Sequence, residues 1–165
     1  MKTIILTRHA KSDWGIPGQA DYDRPLNARG KSDAPMMGAR LAKKPISVDL
    51  LISSTAKRAA ETAILIAHEL TYNTDGIQWL DRLYHAKPRV IQDVILETDD
   101  NHNTILIVCH NNGITEFANS LSGTVTADMP TCAMMAFTID IESWKDFPLA
   151  KKTLLFYDYP KNMDH

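Results

Sequence analysis

The sequence predicts an α/β fold, a three-layer α/β/α sandwich with a mostly parallel central sheet. Two observations carry this. Short β-branched apolar runs that read as buried strands alternate with helical apolar stripes, and no linker, internal repeat or low-complexity tract interrupts the alternation. Residues 3–7 (Thr-Ile-Ile-Leu-Thr) form the first strand. Residues 11–26, with Gly15, Pro17, Gly18 and Pro25, are predicted as a loop. Asn27 caps a helix that runs to about Lys44 and stops at Pro45. Pro35 inside it removes one internal hydrogen bond, which predicts a kink or a late start. Residues 48–53 are the second buried strand. Ala59, Ala60, Ala63, Ile66, Ala67 and Leu70 then draw an apolar stripe over a helix spanning 56–70. Residues 77–80 form a short strand, and Pro88 opens a third helix carrying Val90, Ile91, Val94 and Ile95. Residues 104–109 (Thr-Ile-Leu-Ile-Val-Cys) are the clearest strand, followed by a helix over 114–121 that Gly123 ends. Residues 133–141 and 153–157 close the sheet as a terminal pair of strands.

A length of 165 residues suits one domain, read here as a single unit over 1–165. The net charge of −2 argues against general affinity for nucleic acid or an anionic membrane. Its distribution is uneven: residues 1–60 hold 11 Lys/Arg against 5 Asp/Glu, and residues 61–165 hold 7 against 15. The basic excess includes Arg8, Lys11, Arg24, Arg29, Lys57 and Arg58, which is either a local anion-binding field or a scatter of solvated charges. The N-terminal apolar run is far shorter than the core of a signal peptide, and no run nears the roughly 18 apolar residues of a membrane span. A cytoplasmic protein with no membrane partner is expected.

The polar residues that end the three best strands carry the chemistry. The first strand delivers Arg8 and His9; the second runs into Ser53-Ser54-Thr55-Ala56-Lys57-Arg58; the third delivers His110. A parallel sheet brings these ends to one rim, where ligands of open α/β sheets gather. Two guanidinium forks and helix N-termini suit a phosphoryl group, and arginine clamps it without a metal. A neutral imidazole beside the clamp can attack phosphorus, while a second histidine stabilises charge in transfer. Other readings are weaker. A cysteine phosphatase needs an arginine six positions after its nucleophile, and six on from Cys109 stands Thr115, so Cys109 reads as a buried thiol. Cys109 and Cys132 have no metal-type spacing, and neither do His68, His85 and His102, so no metal is expected. The pairs Met36-Met37 and Met134-Met135 read as packing, and no Gly-Lys-Ser/Thr phosphate loop exists.

Residues 6–12 (Leu-Thr-Arg-His-Ala-Lys-Ser) resemble the Arg-His-Gly motif of the histidine phosphatase (phosphoglycerate mutase-like) superfamily, with Ala10 where Gly is usual. Residues 53–63 resemble its second arginine motif, and Val108-Cys109-His110-Asn111 its second histidine motif. Asp23-Arg24-Pro25-Leu26 with Arg29-Gly30, and Leu83-Tyr84-His85-Ala86, resemble the short SixA-type phosphohistidine phosphatases. The resemblance implies a phosphoglycerate mutase-like fold, His9 as nucleophile, Arg8, Arg58 and His110 on the phosphoryl oxygens, and Arg24 reaching the pocket from its loop. It implies no cofactor. Its substrates would be phosphohistidine or another phosphorylated protein. The alternatives are a small phosphorylated molecule as substrate, or a phosphate-binding module without catalysis. A short chain leaves no room for a large cap over the pocket. The superfamily usually supplies a glutamate as proton donor, often where Arg82 stands here. Asp81 is the nearest carboxylate but out of register by one residue, Asp13 is a loop candidate, and the donor stays unassigned. His85 lies in the SixA-like motif and either borders the site or, as the favoured reading, is a surface or turn histidine.

Overall fold

The computed structural model describes residues 1–163. Among them six strands form one sheet: β1 (Lys2–Arg8), β2 (Leu50–Ser54), β3 (Gln78–Leu80), β4 (Thr104–Cys109), β5 (Met134–Ile139) and β6 (Lys152–Asp158). Their order is β3-β2-β4-β1-β5-β6, parallel from β3 to β1 and antiparallel at β5 and β6. The helices are α1 (Ala28–Ala42), α2 (Lys57–Glu69), α3 (Pro88–Leu96) and α4 (Gly113–Ser122). None of the helices among the described residues is long and apolar enough to cross a membrane.

Side chains of a strand alternate between faces, and here both faces are buried. Ile4, Leu6, Ile105 and Ile107 pack toward Ile91 and Ile95 of α3 and Ile114 and Phe117 of α4. Ile5, Leu51, Leu106 and Val108 pack toward Met37 and Leu41 of α1 and Ala63 and Ile66 of α2. The result is the expected three-layer sandwich. The chain leaves β1 toward the α1–α2 layer and leaves its neighbour β4 toward the α3–α4 layer. Adjacent strands with helices on opposite faces open a crevice beyond their carboxyl ends, the topological switch point of such sheets.

Local structure departs from the sequence reading in instructive places. The Asn27 side chain accepts from the Gly30 N–H at 2.9 Å, so the helix starts where expected. It then runs unbroken through Pro35, so the late start is not seen. Burial of Ala34, Met37, Gly38 and Leu41 stabilises the helix against the loss of one hydrogen bond. The predicted loop is structured at its base, where Ser12 and Leu26 form an antiparallel bridge, and a 3-10 turn spans Asp21–Asp23. The last of four 3-10 segments among the described residues, Trp144–Leu149, buries Trp144 and Phe147 beneath α3; the sequence reading did not foresee it.

One close approach fixes α4. A Cβ on Gly113 would lie 1.9 Å from the Ala86 carbonyl oxygen, so only glycine lets the helix start against the segment after Leu83. Gly113→Ala is expected to destabilise the protein by roughly 1–3 kcal/mol through forced backbone displacement, read from the denaturant midpoint. An unchanged midpoint would show that this contact carries no strain.

Candidate active site

The parallel registers set the site. Arg8 at the end of β1 pairs with Cys109 at the end of β4, and Ser53 of β2 pairs with Val108. The next residues, His9 and His110, therefore emerge side by side, with ring centroids 5.1 Å apart. The His9 amide donates to the Cys109 carbonyl at 3.1 Å, which extends the ladder one residue beyond the strand. Arg58 rises from the first turn of α2 to meet them.

His9 is buried and its two ring nitrogens have different surroundings. Nδ1 lies 2.7 Å from the Ala10 carbonyl oxygen, which can only accept, so Nδ1 carries the proton. Nε2 then holds a lone pair, and Arg58 Nε donates toward it at 3.3 Å. Burial, followed by the charges of Arg58, Arg8 and Arg24, pushes the His9 pKa down to about 3, against the opposing pull of the Ala10 carbonyl. His110 is held by a 2.7 Å contact between Nε2 and Ser54 Oγ, and burial followed by its neighbours His9 and Arg58 lowers its pKa to about 2. Both rings are neutral at pH 7. Ala10 is fully buried; its carbonyl serves His9 and its amide donates to Thr62 Oγ1 at 3.0 Å, so its methyl group occupies core space.

A cavity of about 130 Å³ opens beside His9, lined by Arg8, Lys11, Ser12, Trp14, Arg24, Arg58 and Thr131. Arg8 Nη1 donates to the Met129 carbonyl at 2.7 Å, while its buried Nε has no protein partner among the described residues. Arg24 donates to the Asp13 carbonyl, to Ser12 Oγ and to Asp21, and its guanidinium lies 3.2 Å from the centre of the Trp14 ring.

One carboxylate organises these cations. Asp21 Oδ1 accepts from Arg24 Nη1 at 2.7 Å; Oδ2 accepts from Arg58 Nη2 at 3.0 Å and from the Tyr84 hydroxyl at 2.6 Å. Its carbonyl accepts from Arg58 Nη1 at 2.8 Å. Partial burial alone would raise the Asp21 pKa. Hydrogen bonds from Tyr84 and Arg24, with the charge and hydrogen bond of Arg58, outweigh it and hold the carboxyl well below the usual carboxylate range.

The family model described as "Histidine phosphatase superfamily (branch 1)" matches residues 4–84. An uncharacterized protein of Mycobacterium tuberculosis (strain H37Rv) is 37% identical over 123 residues, covering 73% of this chain and 74% of that one. The chain belongs to the histidine phosphatase superfamily. Among solved structures, a candidate phosphohistidine phosphatase SixA from Agrobacterium tumefaciens matches with a TM-score of 0.83 at 23% identity, covering 96% of this chain and 98% of that one. The protein histidine phosphatase SixA complexed with tungstate matches at 0.80 and 17% identity, covering 96% and 97%. At such identities the likeness is one of fold.

Within this histidine phosphatase fold, Arg8, His9 and Arg58 line one cavity, His110 stands beside His9 but is not among the lining residues, and Arg24 lines the cavity while also forming an ion pair with Asp21. Of the basic excess, Lys11 joins them; Arg29 instead pairs with Asp33. Neither carboxylate considered as proton donor lines the cavity. Asp81 accepts from Thr55 Oγ1 at 2.6 Å, and the Asp13 side chain accepts from the Gly15 amide. His85 is an exposed turn residue, as expected, and it also borders the site, 3.7 Å from Asp21 Oδ2 and with its ring 6.3 Å from that of His110. Cys109 is a buried thiol whose pKa burial raises to about 12, as its place on the strand implies. The sequence reading missed Asp21, Tyr84 and Ser54. Asp21 had one usable signal, its place three residues before Arg24.

The depressed histidines make stability depend on pH. The unfolded chain protonates its histidines near pH 6.5, whereas the folded state resists protonation of His9 until about pH 3. The stability from the neutral ring is therefore present above pH 6.5 and lost as pH falls toward 3, at about 1.4 kcal/mol per pH unit for one such group. His9→Gln is expected to flatten the slope of unfolding free energy between pH 6 and 4 by about that amount. Equal slopes would mean that His9 protonates normally in the folded protein.

Proposed function

We propose that this protein is a phosphatase that works through a phosphohistidine on His9 Nε2, without a metal. It acts on phosphoryl groups displayed by proteins, phosphohistidine foremost. The observation that carries the reading is the tautomer. The Ala10 carbonyl keeps the proton on Nδ1, so the lone pair on Nε2 faces a cationic cavity, and burial, helped by the arginines that would bind phosphate, keeps the ring unprotonated. Proximity to a fixed phosphoryl group supplies much of the rate enhancement in such an attack. Arg8 and Arg58 serve as forks for the phosphoryl oxygens. Ser54 Oγ already accepts from the Ala56 amide, so its own proton is free for His110 Nε2. That leaves His110 Nδ1, buried without a protein partner among the described residues, as a donor for a third oxygen.

Cavity size bears on the substrate. Sites for small organic ligands usually enclose about 300–1,000 Å³; this one, at about 130 Å³, suits a phosphoryl group whose leaving group stays outside. The loop around it exposes Trp14, Ile16 and Tyr22 to solvent, an apolar rim fitted to a larger partner. The small-molecule phosphatase reading has no comparable feature in its favour.

Turnover of an aryl phosphate and of a histidine-phosphorylated protein tests the proposal. Activity is expected to survive EDTA, to vanish in His9→Ala, and to prefer the protein substrate. Arg58→Ala is expected to lower kcat/KM by roughly 100–1,000-fold, as loss of one oxyanion donor does. EDTA-sensitive turnover, or activity retained without His9, would contradict the mechanism. Phosphate binding without turnover would favour a binding module.

A further inference from the structure

Trp14 belongs to the cavity wall and yet faces water. Of the eight residues that line the cavity beside His9, seven are buried or half-buried and one, Trp14, is 74% exposed. Trp14 is thus the lining residue that borders the opening to solvent. Ile16 and Tyr22, the other exposed apolar residues of the same loop, are not among the lining residues. One face of the indole is already covered. The Arg24 guanidinium carbon lies 3.2 Å from the ring centre. An atom in the ring plane could not come so near without colliding with the ring, so the guanidinium lies over the face. Arg24 is itself fixed by the Asp13 carbonyl, Ser12 Oγ and Asp21. The indole is therefore held from one side, and its high exposure leaves the opposite face open.

An open aromatic face, fixed in orientation at the mouth of the cavity, selects by shape. A second flat ring stacks on it with an offset. Arg24 on the far side makes it a poorer seat for a lysine or arginine of a partner, since one cation already draws on the ring. The cavity of about 130 Å³ suits a phosphoryl group alone, so what reaches its mouth is whatever phosphorus is bonded to. In phosphohistidine that is the imidazole ring itself; in phosphoserine or phosphothreonine it is an oxygen on an aliphatic carbon. We propose that Trp14 determines specificity as the platform on which the imidazole of phosphohistidine stacks while its phosphoryl group occupies the cavity beside His9. The inference rests on the phosphoryl-binding reading of that cavity. Stacking orders the ring before transfer, so it favours substrates whose phosphorus carries a ring over those without one.

Two stable phosphate mimics test the platform without turnover: phenylphosphonate, whose ring is bonded directly to phosphorus as in phosphoimidazole, and methylphosphonate, which has no ring. The parent is expected to bind phenylphosphonate roughly 10-fold more tightly, a preference kept in Trp14→Phe and lost in Trp14→Ala and Trp14→Leu. Ring-current shifts of the Trp14 indole NMR signals, assigned by their absence in Trp14→Phe, are expected with phenylphosphonate and not with methylphosphonate. In turnover, the ratio of kcat/KM for N-phosphoimidazole to that for ringless phosphoramidate is expected to drop about 10-fold in Trp14→Ala. A phenyl preference unchanged in Trp14→Ala, or kept by leucine, would overturn the proposal. So would equal weakening of both phosphonates, which would reduce Trp14 to a support for Arg24. A Trp14 effect on an aryl phosphate with none on N-phosphoimidazole would overturn the assignment to imidazole. Failure of the underlying reading shows differently: neither phosphonate would then compete with inorganic phosphate in the parent.

Discussion

The site depends on the Arg58 guanidinium. Its Nε faces the lone pair of His9 and its two Nη atoms are anchored by Asp21, so one rigid plane sets the distance between the nucleophile and that carboxylate. A lysine could not hold this arrangement, because an ammonium is a point charge without a fork of fixed geometry. Arg58 reaches this position because the turn after β2 starts α2 at the rim of the sheet, and the buried stripe of α2 locks the helix against β2 and α1.

Arg58 also explains how three buried or partly buried arginines coexist beside an uncharged histidine. Like charges crowded in a low-dielectric site repel, and an imidazolium would add one more. The pocket avoids this by keeping His9 neutral and balancing Arg24 and Arg58 with one shared carboxylate. A doubly anionic phosphoryl group entering the cavity meets an excess of positive charge from Arg8 and Lys11 that no protein carboxylate within the cavity lining offsets. Binding strength and nucleophile readiness thus have a common origin.

What the sequence revealed, and what it did not, follows from how far each residue is from a regular element. Arg8 ends a buried strand, His9 and His110 are the next residues after buried strands, and Arg58 sits in the first turn of the helix that follows another. A parallel sheet brings such positions together whatever the loops do, so their meeting was legible. Asp21, Tyr84 and His85 come from two connections, and their meeting depends on tertiary paths that hydrophobic periodicity does not encode. Pro35 shows the converse: a strong local signal against helix is overridden when a buried face holds the helix in place. Asp81 and Asp13 were plausible donors by sequence position alone, but each has a local partner, Thr55 or the Gly15 amide.

The central claim is that phosphoryl transfer passes through His9 Nε2 while Nδ1 keeps its proton on the Ala10 carbonyl. Rapid quench of the protein with a phosphorylated substrate, followed by NMR and mass spectrometry of the trapped species, tests it most directly. The account predicts an acid-labile, alkali-stable phosphoryl group on His9, bonded at Nε2, and none in His9→Ala. Phosphate trapped at Nδ1, on His110 or on no residue during active turnover would contradict it.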